Sequence, residues 1–122
     1  MHTVALTHAF VRAAAEAGMT DDAVRQLIDM IAANPIAGDL IVGTGGCRKV
    51  RVAGRGKGKS GGYRVITYYA GEAVPVFLIT MFSKGERANL TKDECNQLSI
   101  RTKVMAADYK TATKLTANKD RT

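Results

Sequence analysis

The stretch Tyr63-Arg64-Val65-Ile66-Thr67-Tyr68-Tyr69-Ala70-Gly71-Glu72-Ala73-Val74-Pro75-Val76-Phe77-Leu78-Ile79-Thr80-Met81-Phe82 decides the fold. Tyr63 to Tyr69 is β-branched and aromatic, Val74 to Phe82 is a second β-rich run, and Ala70, Gly71 and Glu72 supply a turn between them. Two such runs on a short turn predict antiparallel neighbours. Pro75 falls near the beginning of its strand, where the missing N–H is tolerated. Upstream, after a turn rich in glycine (Gly43, Gly45, Gly46), Lys49, Val50, Arg51 and Val52 alternate polar with apolar, as in a half-buried strand. Val50 and Val52 then face the core, and Lys49 and Arg51 share the opposite face. Together these runs predict an antiparallel meander.

Further upstream the period changes. His8 to Ala17 is rich in alanine, which gives up no side-chain entropy in a helix, and Gly18 ends it. Thr20 before Asp21 and Asp22 fits an N-cap followed by acids at the positive end of the helix dipole. Val24, Leu27, Ile28, Ile31 and Ala32 then recur at helical spacing, until Asn34 before Pro35 stops the helix. Thr3 to Ala5 predicts a short strand ahead of both helices. Downstream, Thr91 and Glu94 fit a capping box, and Leu90 with Cys95 fits a hydrophobic staple, so a C-terminal helix starts at Lys92. The polar tail from Thr113, residues 113–122, is expected to fray.

The chain has 122 residues, 46% of them hydrophobic and 24% charged. That suits one ordered domain over residues 1–122 and excludes wholesale disorder. The longest apolar run, Ala73 to Phe82, falls far short of the ~20 residues a bilayer span needs, so the expectation is a soluble cytoplasmic protein. A basic amphipathic helix that would lie on a membrane is missing too. Cys47 and Cys95 do not form a C-x-x-C pair, and a chain with this much core needs no staple; both are expected as free thiols.

Charge is distributed unevenly. Arg48, Lys49, Arg51, Arg55, Lys57, Lys59 and Arg64 lie in one 17-residue segment without an acid, and these seven equal the whole formal net charge of +7. Concentrated positive potential draws polyanions, which makes nucleic acid the first partner to consider. Gly58-Lys59-Ser60 is not a phosphate loop of the nucleotide-hydrolysing kind. Ala53 stands where that motif requires glycine, and the next residues open a strand instead of a helix. Arg55, Lys57 and Lys59 are spaced by glycine in a loop that can approach phosphates closely, while Lys49, Arg51 and Arg64 sit on strands.

Three blocks in order carry a resemblance. Gly43-Thr44-Gly45-Gly46-Cys47-Arg48-Lys49-Val50-Arg51-Val52 is followed by Gly56-Lys57-Gly58-Lys59-Ser60-Gly61-Gly62-Tyr63-Arg64-Val65-Ile66 and then by Phe82-Ser83-Lys84-Gly85-Glu86-Arg87-Ala88-Asn89-Leu90. From about Ala32 to Leu98 the chain resembles toxins of the RelE/ParE superfamily, above all the HigB-like branch. The resemblance implies an α+β fold in which a small antiparallel sheet of about four strands packs on two N-terminal helices, with a C-terminal helix beside it. It implies a toxin of a type II toxin–antitoxin system, an mRNA interferase that enters the A site of the ribosomal 30S subunit and inhibits translation by cutting mRNA. The implied partner is an antitoxin encoded alongside, of helix-turn-helix type, which brings the toxin to operator DNA only as a complex. ParE-like relatives share the fold and bind DNA gyrase; a basic RNA-binding module without activity is a third class.

Carried over residue by residue, the resemblance assigns catalytic roles to Lys49, Arg51 and Arg64, and to Lys84 or Arg87 after the last strand. Gly85 stands where some relatives carry an arginine that contacts the scissile phosphate, and Thr91 where several carry a tyrosine. A ring to stack on a base would therefore come from Tyr63, Tyr68 or Tyr69, with Tyr68 assigned here to RNA binding beside Arg48, Arg55, Lys57 and Lys59. Tyr68 and Tyr69 point to opposite faces, so at most one serves. His2 and His8 precede the helices, away from the cations, which speaks against a histidine acid–base pair. The remaining chemistry needs no metal or other cofactor: the 2′-OH attacks the adjacent phosphate, and each well-aimed cation on the developing charge contributes roughly 3 kcal/mol. Lys49 can serve as the base because its like-charged neighbours Arg48 and Arg51 disfavour its protonated form, a role that arginine cannot fill.

Overall fold

In the computed structural model, which describes residues 2–53, 62–83 and 89–120 and the side chains of the last helix as far as Asp108, the meander is the centre of a five-stranded sheet. Its strands are β1 (Val4–Leu6), β2 (Asp39–Leu40), β3 (Cys47–Val52), β4 (Tyr63–Tyr68) and β5 (Val76–Ser83), in the order β1-β5-β4-β3-β2. Helices α1 (His8–Glu16), α2 (Asp21–Ala33) and α3 (Lys92–Asp120) complete the described elements. The α+β class and the two N-terminal helices against the sheet are as expected. The sheet itself is mixed where an antiparallel one was expected, because β1 runs parallel to β5, with Val4 opposite Val76 and Leu6 opposite Leu78. The short β2 brings the strand number to five. It forms by pairing with β3, from a segment with no β pattern of its own.

Each helix begins where a side chain satisfies its free N–H groups. Thr7 Oγ1 accepts from Phe10 N at 3.1 Å and Thr20 Oγ1 from Ala23 N at 3.1 Å. At α3 the capping box is reciprocal: Glu94 N donates to Thr91 Oγ1 at 3.2 Å, and Thr91 N donates to Glu94 Oε1 at 2.8 Å. Thr7 also donates to the carbonyls of Leu78 and Ile79, both at 2.9 Å. Those carbonyls lie at the one irregularity of the β4–β5 ladder, where Ile66 pairs with Thr80 but Thr67 pairs with Leu78, leaving Ile79 as the extra residue of a bulge. α3 continues as helix to Asp120, past Thr113. Once a turn is capped, each further residue adds a hydrogen bond without a new nucleation cost.

The sheet is covered on both faces. On one, Val50, Val65, Val76, Leu78 and Met81 meet Phe10 and Ala14 of α1 and Leu27 and Ile31 of α2. On the other, Cys47, Ile66, Tyr68, Ile79 and Phe82 meet Leu98 of α3, with Leu90 and Met105 beside it. The second core explains why residues 64–68 of β4 are all buried. Among the described side chains of α3, Leu98 and Thr102 are buried, and Thr102 donates to the carbonyl of Thr44 at 3.5 Å, seating the helix on the glycine turn. Gly45 in that turn has φ +76°, and a Cβ there would stand 3.2 Å from Thr102 Oγ1.

Candidate nucleic-acid interface

The ladder between β3 and β4 places the strand cations. Lys49 is opposite Ile66, and Arg51 is opposite Arg64, so all four residues share a face by the period of two. That is the face of Ile66, Phe82 and α3. Arg64 lies between Arg51 on one side and Phe82 on the other. It is only 7% exposed, whereas Arg51 is exposed and Lys49 half-buried. The strands therefore hold two guanidinium-bearing residues directly opposite one another, an arrangement that costs free energy when nothing negative lies between them.

Among the described residues no carboxylate offsets these cations. The one ion pair there joins Arg25 to Asp22 on α2, at 3.7 Å and well exposed. Arg64 Nη1 donates to the carbonyl of Tyr63 at 3.4 Å, a weak bond for a buried guanidinium. Lys49 Nζ donates to Asn89 Oδ1 at 2.7 Å. The arrangement suits an anion that approaches the open end of the face, where Arg51 and Lys49 meet solvent, and reaches back to Arg64. Two fork-shaped guanidinium groups and one ammonium match the oxygens of a phosphodiester.

Other expected residues fall elsewhere. Arg48 alternates to the opposite face, beside Thr67, and donates to the carbonyl of Gly38 at 3.2 Å. Its guanidinium is thus not a neighbour of the Lys49 ammonium, as the sequence suggested. Tyr68 is 8% exposed and stacks on Phe77 at 6.4 Å between ring centroids. Four residues along β4 from Arg64, about 13 Å, it is part of the core, because α3 covers that end of the face. Tyr68 therefore offers no free ring to a base. Tyr69 packs on the opposite side, edge-to-face with His2 at 5.0 Å. Tyr63 also faces that side and lines a groove of about 420 Å³ with Gly18, Met19, Thr20 and Ala53. Arg55, Lys57, Lys59, Lys84 and Arg87 lie outside the described residues.

Asn89 has no role in the reading of the sequence. Its one signal there is an amide immediately before Leu90 and the capping box, a place where polar residues are common for other reasons. Burial pushes the Cys47 thiol up to about 11, against the lowering effect of a hydrogen bond with Thr44, so this buried cysteine is a poor nucleophile. Both cysteines are free thiols. Among the described residues no three of His, Cys, Asp and Glu converge as a metal site, and no helix is long and apolar enough to cross a membrane. A family model described as RelE toxin of RelE / RelB toxin-antitoxin system matches residues 2–121.

Proposed function

The chain belongs to the RelE toxin family of toxin–antitoxin systems, and on that footing we propose that it is a HigB-like, ribosome-dependent mRNA endoribonuclease. The observation that carries the reading is Arg64: an arginine 7% exposed, opposite Arg51, with no carboxylate against either among the described residues. An unpaired buried cation is costly. A protein that only bound another protein's surface would have little use for it, whereas a phosphodiester in its transition state supplies the missing negative charge.

In this reading mRNA in the A site of the 30S subunit lays one phosphodiester against Lys49, Arg51 and Arg64. Lys49 Nζ takes the proton of the 2′-OH, the 2′-oxygen forms a bond to phosphorus, and the 5′-oxygen leaves and is protonated by solvent. A 2′,3′-cyclic phosphate and a free 5′-hydroxyl result, with no metal required. Arg64 and Arg51 stabilise the phosphorane oxygens, and Lys84 or Arg87 completes the set. Arg55, Lys57 and Lys59 hold ribosomal or messenger RNA by charge. The toxin acts in the cytoplasm, and its antitoxin, a helix-turn-helix protein of the adjacent gene, carries it to operator DNA only as a complex.

Arg64→Ala tests the reading. Primer extension on mRNA after brief induction should show codon-phased cuts for the wild type and their loss, by 100-fold or more at about 3 kcal/mol per donor, for the variant. Cleavage by Arg64→Ala at the wild-type rate would remove Arg64 from the mechanism. Gyrase-dependent DNA breaks in place of mRNA cuts would move the chain to the ParE type, and rapid cutting of naked RNA would contradict dependence on the ribosome.

A further inference from the structure

Lys49 is held from a distant part of the chain. Its Nζ meets Asn89 Oδ1 at 2.7 Å across 40 residues of sequence. Different devices place the two ends. Lys49 is fixed in the ladder, with Ile66 opposite on β4 and Asp39 opposite on β2. Asn89 is fixed by its C-terminal neighbours, since Leu90 packs into the core under α3 and the Thr91–Glu94 box locks the first turn of the helix. The bond therefore ties two anchored backbones through two side chains that would otherwise be mobile.

The chemistry of the acceptor matters. A lysine side chain carries about 2 kcal/mol of rotamer entropy, so an untethered ammonium seldom occupies any one place. An amide oxygen restrains it without neutralising it. A carboxylate at the same place would form an ion pair and compete with an incoming phosphate. Asn89 holds the lysine nitrogen near the face of Arg51 and Arg64 and places no negative charge beside it. We propose that Asn89 is a positioning residue for Lys49, setting the nitrogen for proton transfer from the 2′-OH while making no contact with RNA itself. The proposal rests on the endoribonuclease reading above.

Cleavage of mRNA on programmed ribosomes, measured for the wild type, Asn89→Ala, Asn89→Asp, Lys49→Ala and the double alanine variant, tests it. Asn89→Ala should lower kcat by about 10- to 100-fold, the usual consequence of a misplaced catalytic group, with KM unchanged. Asn89→Asp, which turns the tether into an ion pair, should stay slow as well. Asn89→Ala should cost nothing further in the Lys49→Ala background, because it acts through the lysine. Asn89 is exposed, so thermal midpoints should match the wild type. An Asn89→Ala variant at full rate, a loss confined to KM, or a full additional loss on top of Lys49→Ala would each overturn the proposal. A wild-type chain that cuts no mRNA would overturn the endoribonuclease reading, and this one with it.

Discussion

Arg64 carries a charge at a place where the fold would be better served by an apolar side chain. It pairs across the ladder with Phe82 and Arg51, and its surroundings among the described residues supply no acid. Replacing it with methionine, of similar length and without charge, should leave the unfolding free energy equal or raise it by about 1 kcal/mol, while cleavage is lost. Urea unfolding beside a cleavage assay checks both halves; a marked loss of stability would show that Arg64 is needed structurally. Cys47 makes a prediction of opposite kind. Its folded-state pKa of about 11 lies above the ordinary 9.0, so the folded chain holds this proton more tightly than the unfolded one. Its contribution to stability is then complete below pH 9 and lost as pH rises from 9 to 11. Relative to Cys47→Ala, the wild type should lose stability across that window. An unchanged difference between the two would mean that the thiolate is tolerated. Under native conditions iodoacetamide should modify the half-buried Cys95 and spare Cys47.

At the scale of elements, caps and one glycine control the geometry of the face. Thr7 both caps α1 and donates to two carbonyls at the β5 bulge, so Thr7→Val should cost about 2 kcal/mol, more than a cap alone. Gly38 has φ +88°, and a Cβ there would lie 2.4 Å from the carbonyl oxygen of Lys49. Gly38→Ala should therefore cost more than the roughly 1–2 kcal/mol of left-handed strain, because backbone must move against backbone, and it should slow cleavage by shifting Lys49. Chemical denaturation and the ribosome assay read the two effects; a stable, fully active variant would show that β2 yields freely. The caps at Thr20 and Thr91 are legible in the sequence because a cap is a local device, complete within four residues. β2 is not, since its two residues become a strand only through β3.

For the whole molecule, the described members of the seven cations that equal the net charge do not form one patch. Lys49, Arg51 and Arg64 share one face, and Arg48 goes to the other. Arg55, Lys57 and Lys59 are proposed, from their glycine spacing, to bind RNA. Neutralising these three as glutamine should weaken ribosome binding and reduce the slope of log affinity against log salt by about 2–3, at ~0.7–0.9 per phosphate contact. Turnover at saturation should survive. A salt slope equal to that of the wild type would mean that the loop meets no phosphate.

The sequence by itself determined the kinds of element, the starts of the second and third helices, and the pairing of Lys49 with Arg51 on one face, because each depends on a period or a cap confined to a few residues. The tertiary structure decided the parallel β1, the second core under α3, the burial of Arg64 and Tyr68, and the tether from Asn89 to Lys49. Arg64 lies between partners 13 and 18 residues away, and the others depend on contacts that cross from about 30 to more than 70 residues of chain, where no local period reaches. Alternation placed Tyr68 on a face; whether that face was open or covered depended on where α3 came to rest.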